Sequence, residues 1–143
     1  MIRLTLLALG ITLFALPTLA QPQGFSCVGA ERLEDDVFSI AFLRGSAVIP
    51  EAARSPLAAA IEAALAEPDR NICILGHAGQ EGGATTSIQL AAQRARAVTN
   101  AMAGRGIVAE RLRSEARSAQ FSPSVRAAEP PSRTVTIVLM PPP

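Results

Sequence analysis

Residues 72–103 constrain the fold of this chain most, because a glycine-rich loop within them joins a short apolar run to a long amphipathic helix. Residues 72–75 are all apolar, which is typical of a strand buried on both faces of a sheet. The loop begins at Gly76, and the helix after it is predicted to run to about Ala103. A hydroxyl side chain is expected to cap the start of that helix: Thr85, Thr86 or Ser87.

The remaining patterns complete the predicted order of elements. Residues 37–42 alternate large apolar and small side chains, which indicates a half-buried strand. Residues 51–66 predict a helix whose apolar stripe repeats at steps of four: Leu57, Ile61 and Leu65. Residues 134–140 predict a last strand, and residues 112–116 a weaker one before it. The chain is therefore predicted to form an α/β (α+β) sandwich of β-α-β-α-β type, with its helices on one face of a mixed sheet.

The first twenty residues have the pattern of a secretory signal peptide. Arg3 precedes an apolar run, and the segment ends in small residues, so cleavage is expected before Gln21. The apolar core is shorter than the roughly 20 residues that span a bilayer, so we predict an exported chain with no transmembrane span after cleavage. The predicted divisions are a signal peptide at 1–20, a leader at 21–36, a domain at 37–140 and a proline tail at 141–143.

The charge balance excludes several classes of partner. The chain has 13 basic residues, one of which lies in the signal segment, and 12 acidic residues. The mature protein is thus close to neutral and has no basic excess for a nucleic acid or an anionic membrane. It contains no Trp and no Tyr, so stacking on bases or sugars is also disfavoured.

Two cysteines remain after the signal, Cys27 and Cys73. An even count in an exported protein favours a disulfide, and two buried free thiols are the alternative. Two thiols and a single histidine cannot complete a structural zinc site, so no metal is expected.

One charged residue falls within the apolar face of the second predicted helix. At 100° per residue, Arg94 projects between Leu90 and Val98. In one interpretation, its aliphatic stem packs on the edge of the face and its guanidinium reaches water. In the other, the planar guanidinium binds a carboxylate. The helical periodicity alone does not decide between them.

The spacing around Arg94 matches a known pattern. Two motifs have the order and spacing of that pattern, with no insertion or deletion: Gly76-His77-x-x-x-x-Gly82 and Ser87-x-x-Leu90-x-x-x-Arg94-Ala95-x-x-Val98-x-x-x-Met102. They resemble the peptidoglycan-binding core of the OmpA-like C-terminal domain. The resemblance extends over about residues 37–140, nearly the whole mature chain.

The resemblance implies roles for particular residues. In the OmpA-like core, the arginine corresponding to Arg94 pairs with a carboxylate of diaminopimelate in the peptidoglycan stem peptide. The aspartate that receives the ammonium group of diaminopimelate corresponds to Gly79, which has no side chain, and Glu81 is a candidate substitute acid. Ser87 takes the place of the family asparagine, and His77 stands where the family has His or an aromatic residue.

The function implied is non-covalent association with peptidoglycan in the periplasm, at the cell wall or outer membrane. The alternative is a degenerate domain that has lost this ligand and serves as a periplasmic protein-interaction or structural module. No catalytic motif or cofactor-binding fingerprint is present, so we expect no enzymatic activity and no cofactor. Envelope proteins are further candidate partners.

Overall fold

A computed structural model describes residues 24–79, 82–118 and 133–143. The predicted signal peptide at 1–20 and Glu81 lie outside these residues. Short 3-10 turns at Ala30–Arg32, Glu51–Ala53 and Ala109–Arg111 connect the main elements. The main elements are β1 (Val37–Ala41), α1 (Arg54–Ala66), β2 (Ile72–His77), α2 (Ala84–Gly104), β3 (Leu112–Arg117) and β4 (Thr134–Leu139).

The strands form one mixed sheet in the order β1-β4-β2-β3. Strands β2 and β3 are parallel, and α2 is the crossover between them, as a parallel pair requires. Strand β4 lies between β1 and β2 and is antiparallel to both. Helix α1 packs near β1 and α2 near β2 and β3, which confirms the predicted fold class.

The core lies between the two helices and one face of the sheet. Ile72 and Ile74 of β2 point into it because alternate residues of a strand face the same side. The other strands contribute in the same way, and α2 supplies the side chains opposite them. Besides Ile72 and Ile74, the large side chains of this core that are fully enclosed are Ile40, Val98, Met102, Val135, Ile137 and Leu139.

The prediction that Leu65 belongs to the buried stripe of the first helix is wrong. Leu65 is 50% exposed, although Leu57 and Ile61 of the same predicted stripe are buried. A step of four residues turns the helix by about 40° beyond a full circle, so a third residue in the series leaves the buried face. Ala60 and Ala64 occupy the buried face of α1 instead.

The boundaries around the glycine-rich loop also differ from the prediction. Strand β2 continues through Gly76 to His77, because these residues pair with β3 beyond the apolar run. Helix α2 begins at Ala84, and Gly83 is its N-cap, with no capping side chain. Gly83 has φ 89° and ψ 173°, a conformation open to glycine that turns the chain directly into the helix. The amide of Ser87 already donates to the Gly83 carbonyl, so the predicted caps lie within the helix.

The other face of the sheet is covered by the leader. Phe25, Ala30 and Leu33 pack near Leu75 and Val138. The predicted disulfide is confirmed, since Cys27 and Cys73 are bonded and both are buried. In the chain-entropy model, closing a loop with a sequence separation of 46 stabilises the fold by about 4 kcal/mol.

Arginines hold the ends of several segments together. Arg113 donates to the Phe25 carbonyl, and Arg117 donates to the Cys27 carbonyl, so β3 fastens the leader. Arg70 is 7% exposed and contacts Asp36 and Glu67, each at 2.7 Å, while it also donates to the Leu139 and Met140 carbonyls. The hydrogen bond with Asp36 raises the pKa of Arg70 further, despite burial.

Within the described residues, neither helix combines the length and the apolar character that crossing a bilayer requires.

Gly76 allows α2 to approach β2 closely. A Cβ atom at this position would overlap the carbonyl oxygen of Ala91 and lie 2.8 Å from its carbonyl carbon. Both atoms belong to the backbone of α2, so the helix itself would have to move to accommodate a side chain. Gly76 is therefore required for packing, and its φ is not positive.

We predict that Gly76→Ala lowers the free energy of unfolding by about 2–3 kcal/mol, because it overpacks the interface between helix and sheet. Urea denaturation measures the change. Gly104→Ala is the matched control, since nothing lies within 4 Å of a Cβ there. The control should leave stability unchanged or raise it by about 0.5–1 kcal/mol, as alanine favours a helix. Equal stability of both variants would contradict the close packing.

Candidate functional site

An open groove of about 370 Å³ lies between the segment after β1 and the N-terminal half of α2. The segment after β1 provides one wall, where Arg44 is exposed, and α2 provides the other. Gln89 and Gln93, predicted for the solvent face of α2, are exposed there. The lining residues are Arg44, Gly45, Gly82, Thr86, Gln89, Leu90 and Gln93. None of these described residues is acidic.

Arg94 lies behind this groove and is only 2% exposed. Its Nε donates to the Ser46 carbonyl at 2.7 Å, and its Nη2 donates to the Leu43 carbonyl at 3.0 Å. Its guanidinium also lies 5.5 Å from the centre of the Phe42 ring, within the range of a cation–π contact. The interpretation in which the guanidinium reaches water is therefore wrong, because the chain after β1 folds over it.

The contacts of Arg94 shape the first wall of the groove. Leu43 and Ser46 flank a turn in which the Ser46 amide donates to the Leu43 carbonyl, and Gly45 has φ 68°. One side chain thus holds both carbonyls of the turn through charge-assisted hydrogen bonds. Arg44, inside the turn, is placed at the groove as a result.

The other motif positions are distributed around the start of α2. Gly79 is half-buried and comes two residues after β2, with no side chain to offer a ligand. Ser87 is 3% exposed and lies in the first turns of α2. Glu81, the candidate substitute acid, lies outside the described residues.

His77 is separated from Arg94 by the sheet. Gly76 faces α2, so His77 faces the side of the sheet that the leader covers, together with Cys73 and Leu75. Its Nε2 is 2.8 Å from Oγ1 of Thr136. Burial and, to a lesser extent, the positive charge of Arg117 lower the pKa of His77 to about 4. The imidazole is therefore neutral at pH 7 and buried.

Sequence reasoning did not identify Arg44 as a residue that lines the groove. Arg44 is distant in sequence from α2, and only the packing of β1 beside β4 brings the following turn to the helix. The one local signal is an Arg-Gly pair directly after an alternating strand pattern. Among residues 24–79, 82–118 and 133–143, no group of three or more His, Cys, Asp or Glu side chains is arranged to hold a metal ion.

We predict that Arg94→Lys lowers the free energy of unfolding by about 2–3 kcal/mol, because an ammonium cannot span two carbonyls as a guanidinium does. Urea denaturation measures the loss. Arg96→Lys is the control, since Arg96 is exposed on the same helix and should change stability by less than about 0.5 kcal/mol. A tolerated Arg94→Lys would mean that the turn does not need Arg94.

We predict that stability falls with acid partly through His77. The folded-state pKa of about 4 is below the usual 6.5, so the unfolded chain binds the proton more tightly. The contribution of His77 is complete above pH 6.5 and is lost as the pH falls towards 4, amounting to about 3 kcal/mol. Denaturation at several pH values, compared with His77→Gln, measures it. Parallel pH profiles of the two proteins would refute this assignment.

The chain is similar in structure to the OmpA-like domain of FopA1 from Francisella tularensis, with a TM-score of 0.63 and 14% identity over 77% of each chain. It is also similar to the peptidoglycan-associated lipoprotein from Burkholderia pseudomallei, with a TM-score of 0.59 and 18% identity over 71% of this chain and 87% of that one.

A third similar structure is the cell wall anchor of the T6SS from Pseudomonas aeruginosa, with a TM-score of 0.57 and 23% identity over 72% of this chain and 79% of that one. At these identities the likeness shows a shared fold. No curated protein matches the sequence. The model of the OmpA family matches residues 41–134, which include the turn after β1, the glycine-rich loop and all of α2. This chain belongs to the OmpA family.

Proposed function

We propose that this protein is a non-enzymatic cell-envelope domain that associates non-covalently with peptidoglycan through the groove between the turn after β1 and α2. On this proposal, the protein lies outside the cytoplasm, in the periplasm and against the cell wall or outer membrane. Its ligand is the diaminopimelate-containing stem peptide. Envelope proteins remain further candidate partners.

One observation carries the proposal: the family arginine holds the same turn that forms one wall of the open groove. Arg94 holds the Leu43 and Ser46 carbonyls, and the turn between them lines the groove opposite α2. All of these residues lie within the family match at 41–134. Two of the structurally similar proteins have names that refer to peptidoglycan or the cell wall, which supports the same ligand class.

The groove has the chemistry that a peptide with carboxylates requires. Gln89 and Gln93 offer amide donors and acceptors, Thr86 offers a hydroxyl, and Arg44 offers a positive charge. In the described arrangement, Arg94 supports ligand binding by holding the turn at 43–46, which forms one wall of the groove.

A second candidate function rests on Gly79. The position that resembles the family acid has no side chain, and no described residue lining the groove is acidic. Recognition of a zwitterion through two opposite charges is then incomplete, unless Glu81 supplies the acid. On this alternative, the domain keeps its fold, does not bind peptidoglycan and serves as a protein-interaction or structural module.

Co-sedimentation with purified diaminopimelate-type peptidoglycan tests the proposal. We predict that the mature protein enters the pellet and that the double variant Gln89→Glu/Gln93→Glu binds about tenfold more weakly, because two carboxylates then repel the ligand. Both glutamines are exposed, so folding should be preserved.

Arg96→Glu is the matched control for charge, because it makes the same change of two units on an exposed residue of α2 that does not line the groove. It should bind as the wild type does. A wild-type protein that remains in the supernatant would reject the proposal and favour the interaction module. Equal loss in both variants would indicate nonspecific charge attraction instead of a groove.

A further inference from the structure

We propose that the leader is a movable cover on the second face of the sheet, and that thiol–disulfide exchange at Cys27 and Cys73 controls whether it opens. The described part of the leader comprises residues 24–36. It lies on the face opposite the helices, so the proposal goes beyond the peptidoglycan groove and does not depend on it. The match to the OmpA family begins at residue 41, so Cys27 and the rest of the leader lie outside it.

The surface beneath the leader is apolar and enclosed. Cys73 and Leu75 of β2 and Val138 of β4 are each 0% exposed. Cys73 and Val138 are direct partners in the sheet register, and Leu75 follows on the same side of β2, so the three side chains form one continuous patch. Opening of the leader therefore converts a covered face into an exposed apolar surface.

Few side chains of the leader hold it on this patch besides Cys27. Ala30 is enclosed but small, and Phe25 and Leu33 are only partly buried. All of residues 24–36 must be ordered to place these side chains, and each residue loses conformational entropy. The covalent bond to β2 therefore supplies a large share of what keeps the leader in place.

The end of the leader nearest β1 is fastened independently of the disulfide. Asp36 accepts a hydrogen bond from Nη1 of Arg70 at 2.7 Å, and its carbonyl accepts one from the amide of Leu139. Its φ of 55° lies in the left-handed region, where the chain turns from the leader into β1. Because none of these contacts involves a cysteine, Asp36 remains fixed on reduction and is the pivot of the movement.

The opposite end depends on the bond. Arg113 donates to the Phe25 carbonyl at 2.8 Å, and Arg117 donates to the Cys27 carbonyl at 3.0 Å. Both arginines belong to β3 at the edge of the sheet, and Arg113 is exposed, so water competes for the bond to Phe25. Once the disulfide is reduced, the leader opens from this end.

The exchange requires a dithiol as reductant. One thiolate of the dithiol attacks a sulfur of the protein disulfide and forms a mixed disulfide, and its second thiol then displaces the protein cysteine. Two electrons and two protons pass to Cys27 and Cys73, and the reductant leaves as a disulfide. Cys27 is 1% and Cys73 0% exposed, so a thiolate reaches a sulfur only after the Cys27 end has moved. Local opening thus limits the rate of reduction.

Limited trypsin digestion of the mature protein, before and after reduction with dithiothreitol, tests the proposal. Arg32 is an exposed arginine of the leader, and Arg96 is an exposed arginine of α2. We expect cleavage after Arg32 to become about tenfold faster or more on reduction, because the leader opens while the helices stay folded. Cleavage after Arg96 and the circular dichroism of the domain should not change.

Variants separate the bond from the reductant. Cys27→Ala/Cys73→Ala should show the fast cleavage after Arg32 without dithiothreitol. Arg113→Gln should be reduced about threefold faster than the wild type or more, because one hydrogen bond that closes the Cys27 end is lost. Arg96→Gln is its matched control and should be reduced at the rate of the wild type. Equal rates in both variants would contradict the gating.

Three results would overturn the proposal. If Arg32 stays protected after complete reduction, the noncovalent contacts are sufficient to hold the leader. If Arg32 and Arg96 become cleavable together, the leader unfolds with the whole domain and is not a separate cover. If dithiothreitol leaves the bond intact in the folded protein, thiol–disulfide exchange cannot open the leader.

Discussion

The burial of Arg94 between α2 and the turn after β1 is the interaction on which the groove depends. Placing a guanidinium out of water is costly unless its donors are paired, and the Ser46 and Leu43 carbonyls accept two of them here. Because the same carbonyls belong to the turn after β1, the arginine helps to determine where that turn lies. The wall of the groove and the position of Arg44 follow from it.

The sheet supports this arrangement by being covered on both faces. The helices cover one face, and Gly76 lets α2 approach so closely that the backbone of Ala91 lies where a side chain would be. The leader covers the other face and is joined to β2 by the disulfide between Cys27 and Cys73. Since β2 is packed on both faces, α2 lies against a strand that is restrained from both sides.

Two residues of the family motif, His77 and Arg94, lie in different environments. His77 directly follows Gly76, yet it faces the leader and is neutral because burial lowers its pKa. Arg94 faces the turn after β1 and keeps its charge close to the groove. Alternation along β2 accounts for the separation, because adjacent residues of a strand point to opposite faces. The motif therefore places Arg94 beside the groove and His77 on the opposite face of the sheet, where it is packed under the leader.

Local pattern was sufficient for most of the fold. Apolar runs, helical periodicity and two cysteines predicted the order of elements, the mixed sheet and the disulfide, because burial and period act over a few residues. Periodicity also placed Arg94 on the buried face of α2, but it left open what the guanidinium contacts. Only the tertiary structure decided that, since the Leu43 and Ser46 carbonyls come from a distant turn. The place of Arg44 in the groove likewise depended on how distant segments pack and not on their own composition.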